Sequence, residues 1–323
     1  MVMQKLFRYL KVEFFYVREM FRYGYRDPKI WFQYIKNRFF AAYLIEKLRP
    51  WACSQEHNHR QYFELHVLTQ KEALWMLTWG LRSFLYFSRL CPRIVIHDDG
   101  SFDDRAQKTM ERIFPGANVI RRHEADRIIE ARDDISVRLK ELRRSGKIVC
   151  KFTDSFLLAN HKRVMIFDND LLFFSRPQEL LDFLNDKTDD DAVATMQHGQ
   201  REWISEDMMM DDWYAQRFHP GRTPARRLNS GLLFFKTDHF PVVERMNEYF
   251  DHTRMKADHY FIEMAGLAIF LARLKFSYLP LEKYHMKGKP HAGTVMKHFT
   301  SPRRHEFYAY GIDMIRRKMS EHE

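Results

Sequence analysis

The chain has 323 residues, 45% hydrophobic and 30% charged, a globular balance that excludes wholesale disorder. Twelve glycines and eleven prolines are too few for a collagen-like or linker-dominated chain. A net charge of +10 favours an anionic partner: a phosphate-bearing ligand, nucleic acid or an acidic membrane face.

Residues 1–60 carry 12 Lys/Arg against 5 Asp/Glu, a surplus of +7, and fifteen aromatic side chains. Leu6, Leu10, Phe14, Val17 and Phe21 recur at helical spacing, which predicts an amphipathic helix with these residues as its apolar stripe. Asp27-Pro28 is an N-cap followed by proline at the first helical position. Trp31, Tyr34, Ile35, Phe39, Ala42 and Ile45 form a second stripe, stopped by Pro50. The segment is expected to pack on the main domain or on a second subunit, as in a homodimer, because aromatic stripes usually bury in protein. The other reading is peripheral association with an anionic membrane.

From residue 62 the texture changes. Residues 63–68 read as a strand and Leu74, Leu77, Leu81 and Leu85 as a helix face. A strand over 93–97 ends in Asp98-Asp99-Gly100-Ser101, and Asp103 and Asp104 suit the start of the next helix. A short strand at 118–120 precedes one long polar helix over about 125–144, a helix over 147–160 and an apolar strand at Arg163–Phe167. Further on, strands are expected at 192–196, 232–235 and 276–279, and helices at 241–254 and 258–274. Residues 201–228 are polar and irregular, and Trp203, Trp213, Tyr214 and Arg217 there suit an acceptor loop. Strand–helix alternation of this kind predicts an α/β fold with a mixed, mostly parallel sheet flanked by helices, preceded by an N-terminal helical extension. The expected division is an extension over 1–60, a main domain over 61–310 and a basic tail over 311–323. Ligands of such sheets sit at the carboxyl ends of the strands.

Cys53, Cys91 and Cys150 are odd in number and form no CxxC pair, so free thiols and a cytoplasmic setting are expected, at most peripheral at the inner membrane face. The opening residues have no secretory pattern, and the apolar run at 264–272 falls short of the ~18 residues of a membrane span.

The segment that carries chemistry is Ile166-Phe-Asp168-Asn-Asp170-Leu-Leu-Phe. Residues i and i+2 of an extended backbone point the same way, so Asp168 and Asp170 can converge on one divalent cation. Hard oxygen ligands suit Mg²⁺ or Mn²⁺ held together with phosphates. Asp189 and Asp191 form a second D-x-D, but in a polar stretch that reads as a solvated loop.

This segment resembles the D-x-D strand of GT-A glycosyltransferases, above all the family 8 group that includes glycogenin and lipopolysaccharide galactosyltransferases. The likeness spans about residues 62–300. It implies a nucleotide-sugar donor, most often a UDP-sugar, a metal on its diphosphate, and transfer to an acceptor hydroxyl of a glycan, lipid or protein with retention of configuration. Asp168, Asp170 and His298 match the metal ligands. Lys151, Thr69, Asn169 and Gly231 match donor-binding positions, and Asp98 or Asp99 would substitute for an acidic residue absent near Thr69. Asn229 would reach the donor sugar or acceptor. Glu263 matches the acid that orients the sugar, with Asp258 as a competing match; Met264 replaces the usual glutamine. A glycine and lysine usually follow the histidine; here Arg303 and Arg304 stand nearby and would hold phosphate. Two rival readings are a catalytically inactive basic binding protein, on membrane or nucleic acid, and a sugar nucleotidyltransferase. No nucleic-acid motif or glycine-rich phosphate loop supports them.

Overall fold

The computed structural model describes residues 2–52, 63–198 and 227–320. The acceptor-loop residues Trp203, Trp213, Tyr214 and Arg217 lie outside them. The chain begins with α1 (Val2–Arg22), α2 (Pro28–Phe39) and α3 (Ala41–Glu46). Asp27 caps α2 by accepting from the Lys29 N–H, with Pro28 at the first turn.

The α/β part follows as β1 (Glu64–Thr69), α4 (Leu74–Ser88), β2 (Arg93–Asp98), α5 (Asp104–Ile113) and β3 (Asn118–Ile120). Next come α6 (Arg122–Glu130), α7 (Val137–Ser145), α8 (Lys147–Leu157), β4 (Arg163–Phe167) and β5 (Leu171–Phe173). Then follow α9 (Gln178–Leu184), β6 (Ala192–Met196), β7 (Leu228–Lys236), α10 (Val242–His252), α11 (Ile262–Ala272) and β8 (Phe276–Tyr278). The chain closes with β9 (Tyr284–His285), β10 (Met296–His298), a short helical stretch from Arg304 to Gly311 and α12 (Ile312–Ser320).

The main sheet has seven strands in the order β3-β2-β1-β4-β7-β6-β8. Only β7 runs against the rest, pairing antiparallel with β4 and β6. This is the expected mixed, mostly parallel α/β architecture. Chain order reverses between β1 and β4, which makes the carboxyl ends of these two strands the topological switch point. Because β7 is antiparallel, its amino end, Leu228 to Gly231, lies on that same edge.

Strands buried on both faces read as continuous apolar runs. In β4, Met165 and Phe167 face a core shared with α4, α5 and the N- and C-terminal helices, while Val164 and Ile166 face α7, α8, α10 and α11. Every residue of α11 is buried, so the apolar run at 264–272 is a central core helix.

Several expectations need correction. The single helix over 125–144 is two: the chain breaks after Glu130, Arg132 pairs with Asp134 at 2.6 Å, and Ser136 caps α7 through the Leu139 N–H. The helix expected from 258 starts at Ile262. Residues 1–60, where described, pack on the main domain as expected: Tyr16, Met20, Tyr34 and Ile45 share a core with Leu65 and Phe167, and Ile312 and Ile315 are buried there too. The stripe assigned to α1 faces the wrong way. Glu13, Tyr16 and Met20 are buried, whereas Phe14 and Phe21 are 77% and 68% exposed. The reason is the inward carboxylate: Glu13 accepts from the Tyr34 hydroxyl at 2.8 Å and from Arg38 at 2.7 Å, which fixes the helix rotation. Cys91 is disulfide-bonded, so the thiol argument for a reducing compartment does not hold. Among the described residues no helix is long and apolar enough to cross a membrane.

Candidate active site

The apolar run of β4 ends at Phe167, and the next backbone N–H, of Asp168, donates to Gly231 O on β7 at 2.8 Å. The chain then turns through Asn169 and Asp170 into β5. That strand pairs antiparallel with β10, His298 opposite Leu171, and the Phe299 N–H donates to Asp170 O at 2.9 Å. A pairing across more than 120 residues of sequence thus sets the late histidine beside the second carboxylate.

Each carboxylate divides its two oxygens. Asp170 gives Oδ2 to Arg304, Nε at 3.0 Å and Nη2 at 2.6 Å, and turns Oδ1 toward His298 Nε2 at 3.0 Å. Asp168 gives Oδ1 to Lys151 Nζ at 2.7 Å and holds Oδ2 at 3.6 Å from His298 Nε2. One oxygen from each acid and one imidazole nitrogen lie within 4.8 Å of one another, the one such group of three among the described residues. Burial would raise the Asp170 pKa, but Arg304 and His298 outweigh it and hold the carboxyl well below its ordinary value.

His298 presents a defined nitrogen. Asn229 Oδ1 accepts from the Gly231 backbone N–H at 3.1 Å, so this atom is the oxygen of the amide, and it lies 2.8 Å from His298 Nδ1. The proton therefore sits on Nδ1, and Nε2 faces the two carboxylates. A buried carbonyl fixing the tautomer of a ligating imidazole is a recurrent outer shell of metal sites. His298 Nε2, 3.0 Å from Asp170 Oδ1 and 3.6 Å from Asp168 Oδ2, sets an imidazole nitrogen beside two carboxylate oxygens, a donor set that suits a divalent cation.

Behind Asp168 lies a second buried layer. Lys151, on α8, is 8% exposed and bridges Asp168, Glu263 Oε1 at 2.9 Å and Ser230 Oγ at 3.2 Å. Burial would lower the Lys151 pKa, but Asp168 and Glu263 hold it above the ordinary value. Glu263, in the first turn of α11, also accepts from Ser230 Oγ at 3.2 Å. Burial raises its pKa, Lys151 opposes that, and Asp168 adds to it. Three carboxylates (Asp168, Asp170, Glu263) against two cations (Lys151, Arg304) leave one negative charge, which a divalent ion would turn to one positive charge facing an anionic ligand.

The structure brings Asp168, Asp170, His298, Lys151, Glu263, Asn229, Gly231 and Arg304 together. Asn169 Nδ2 donates to Thr69 Oγ1 at 3.2 Å, spanning the switch point between β4 and β1. Asp98 is committed elsewhere. Its Oδ1 accepts from the Gly100 and Phe102 N–H groups at 2.8 and 2.9 Å, and its Oδ2 faces Arg121 at 3.4 Å, so it builds the turn after β2. Asp99 pairs with Lys147 at 2.7 Å. Asp258 is exposed, with Glu263 the acid that reaches the site. Asn229 spends its oxygen on His298 rather than on a ligand, and Gly231 admits the His298 ring: a Cβ there would lie 2.5 Å from both Cε1 and Nδ1.

Sequence reasoning missed Ser230 and Tyr260. Ser230 alternates with Asn229 along the strand, so it points the other way, toward Lys151. That alternation was a usable signal. Tyr260, 64% exposed, stands just before α11, where the charges of Asp168 and Glu263 reach it. Nothing local in the sequence marks it.

No family model matches the sequence, and no curated protein does. Among solved structures, the chain is similar to the galactosyltransferase LgtC in complex with donor and acceptor sugar analogues, at TM-score 0.46 and 13% identity over 80% of this chain and 95% of that one. It is similar to mouse xyloside xylosyltransferase 1 at TM-score 0.47 and 9% identity, over 73% and 96% of the two chains. It is also similar to core-mannan synthase A of Aspergillus fumigatus in a Mn/GDP form, at TM-score 0.43 and 13% identity, over 72% and 76%.

Proposed function

We propose that the protein is a divalent-metal-dependent GT-A glycosyltransferase that moves a sugar from a nucleoside-diphosphate sugar to an acceptor hydroxyl. The observation that carries this reading is the convergence of Asp168, Asp170 and His298 Nε2 beside the switch point, where a mostly parallel sheet takes its ligands. Asp168, Asp170 and His298 would hold Mn²⁺ or Mg²⁺, hard ions suited to carboxylates, an imidazole and phosphate oxygens. Such an ion, when bound, neutralises negative charge growing on a leaving diphosphate.

The chain's own residues do the rest. Lys151 holds Asp168 at 2.7 Å and Glu263 at 2.9 Å, so neither rotates away when a ligand arrives. Arg304 pins Asp170 with two N–H groups and lies at a half-buried position from which a further N–H suits a phosphate oxygen. Asn229 orients His298. Glu263, on the inner side, is the acid assigned to the donor sugar hydroxyls, and Thr69 with Asn169 marks the nucleotide end. UDP as the nucleotide and retention at the anomeric carbon rest on the family resemblance.

The test is nucleoside-diphosphate release across a panel of nucleotide sugars with Mn²⁺. Asp170→Ala is expected to lose metal-dependent hydrolysis, and a wild-type rate in that variant overturns the assignment. Stabilisation by UDP that requires Mn²⁺ separates this reading from an inactive binding protein. NMR of the product anomer decides retention.

A further inference from the structure

Helices α1 and α2 carry side chains with opposite fates. Lys11, Phe14, Arg18 and Phe21 follow one another at steps of three, four and three residues and are all exposed, so they form one outer row. On α2, Phe32, Ile35 and Phe39 are 64%, 46% and 50% exposed, with Lys29 and Lys36 on the same side. The Phe21 and Trp31 rings, 5.0 Å apart, join the two rows. Phe40 and Tyr43, 57% and 61% exposed, continue the surface onto α3.

Of the four acids in residues 2–46, Glu13 and Glu19 are buried, while Asp27 and Glu46 are exposed, Glu46 paired with Arg105 at 3.1 Å. Glu13 is buried against Tyr34 and Arg38. Glu19 is buried too, with Arg18 at 3.3 Å and Arg22 at 3.6 Å. Asp27 turns one oxygen to the backbone as a cap. Along the two rows the outward surface is therefore phenyl rings set among cations. Beside it, a cleft of about 610 Å³ between α2 and α12 is lined by Lys36, Arg316 and Arg317 against the single acid Asp313.

A face this apolar on a water-soluble surface marks a contact site. Its charge selects the partner. A protein cover for the rings would not call for a basic border, whereas aromatic rings seated at headgroup depth with lysine and arginine beside lipid phosphates is the composition of an interfacial helix on an acidic membrane.

We propose that the outer face of α1–α3 docks on an anionic bilayer, with Phe14, Phe21 and Phe32 entering the headgroup layer and Lys11, Arg18, Lys29 and Lys36 pairing with lipid phosphates. This inference is independent of the reaction assigned to the carboxylate site.

The experiment is sedimentation of the full chain with phosphatidylcholine vesicles containing about 30% phosphatidylglycerol, and with pure phosphatidylcholine vesicles. Pelleting with the acidic vesicles is expected, weakened roughly tenfold between about 0.1 and 0.5 M salt. The combined Phe14→Ser, Phe21→Ser, Phe32→Ser variant is expected to melt like wild type and to partition at least about tenfold more weakly. Lys11→Glu with Lys29→Glu is expected to lose binding to acidic vesicles. Absence of pelleting with acidic vesicles at low salt overturns the proposal, as does unchanged partition of the triple-serine variant. Light scattering that shows a dimer which the serine variant converts to monomer, without vesicle binding, assigns the face to a second copy and overturns it too.

Discussion

Gly231→Ala is the sharpest test of how the site is built. The added Cβ would stand 2.5 Å from His298 Cε1 and Nδ1 and 2.9 Å from Asn229 Oδ1. Carbon contacts relax at roughly 3.5–4.0 Å, so the ring must retreat by about 1 Å or β7 must move. Neither is free: the ring is tied to Asn229 at 2.8 Å, and its strand to Leu171 by pairing. Overpacking of this kind costs about 1–3 kcal/mol of stability. The same retreat draws Nε2 away from the carboxylates, and loss of an outer-shell partner typically lowers metal affinity about 10–100-fold. Thermal unfolding and calorimetric titration with Mn²⁺ read the two effects separately. Gly293→Ala is the control, because its Cβ would meet only His291, at 3.4 Å. Wild-type melting together with wild-type Mn²⁺ affinity in Gly231→Ala would refute the reasoning.

Arg143 donates to both oxygens of Asp154 at 2.7 and 2.8 Å, each side chain 2% exposed, so Arg143→Met strands a buried carboxylate and should cost roughly 3–5 kcal/mol in denaturant unfolding. A loss below about 1 kcal/mol contradicts that account. Burial lowers the pKa values of His66, His97 and His285, the last to about 4 with Lys297 adding to the effect. The unfolded chain then takes up protons near pH ~6.5 that the folded chain refuses, so this stabilisation is complete above that pH and lost as pH falls through the folded values. Melting temperature should drop between pH 7 and 5, and a flat profile tells against it. Glu64 and Glu306, although buried, are held at about 2 by His66 and backbone N–H groups and by Arg303 and Lys297, so their contributions persist until much lower pH. Burial pushes the Cys150 thiol up to about 12, so it should resist Ellman's reagent in the native protein at pH 8 and react in denaturant. Fast native labelling of Cys150 would show that its pocket opens.

Features legible along the chain were those whose cause is local. β4 announces itself because a strand buried on both faces must be apolar throughout, and its end is marked by the abrupt change to Asp168. The α2 cap is legible because Asp27-Pro28 satisfies its own first turn. The orientation of α1 was not. Aromatic residues surround that helix, so its spacing fits more than one face, and the choice is made by Tyr34 and Arg38 on another helix reaching Glu13. The short strands β5, β9 and β10 have two or three residues each, too few for any period to register.

The site divides along the same line. The acidic pair follows from two-residue alternation at the end of an apolar run, and the family resemblance pointed to a histidine, a lysine and a glutamate that the fold brings beside it. Pattern alone did not reveal that Asn229 and Gly231 serve His298 while Ser230 serves Lys151, or that Asp98 is consumed by its own turn. Those roles depend on which groups meet across gaps of many tens of residues. Strand pairing and side-chain packing set such meetings, and both are properties of the folded chain as a whole rather than of any stretch of it.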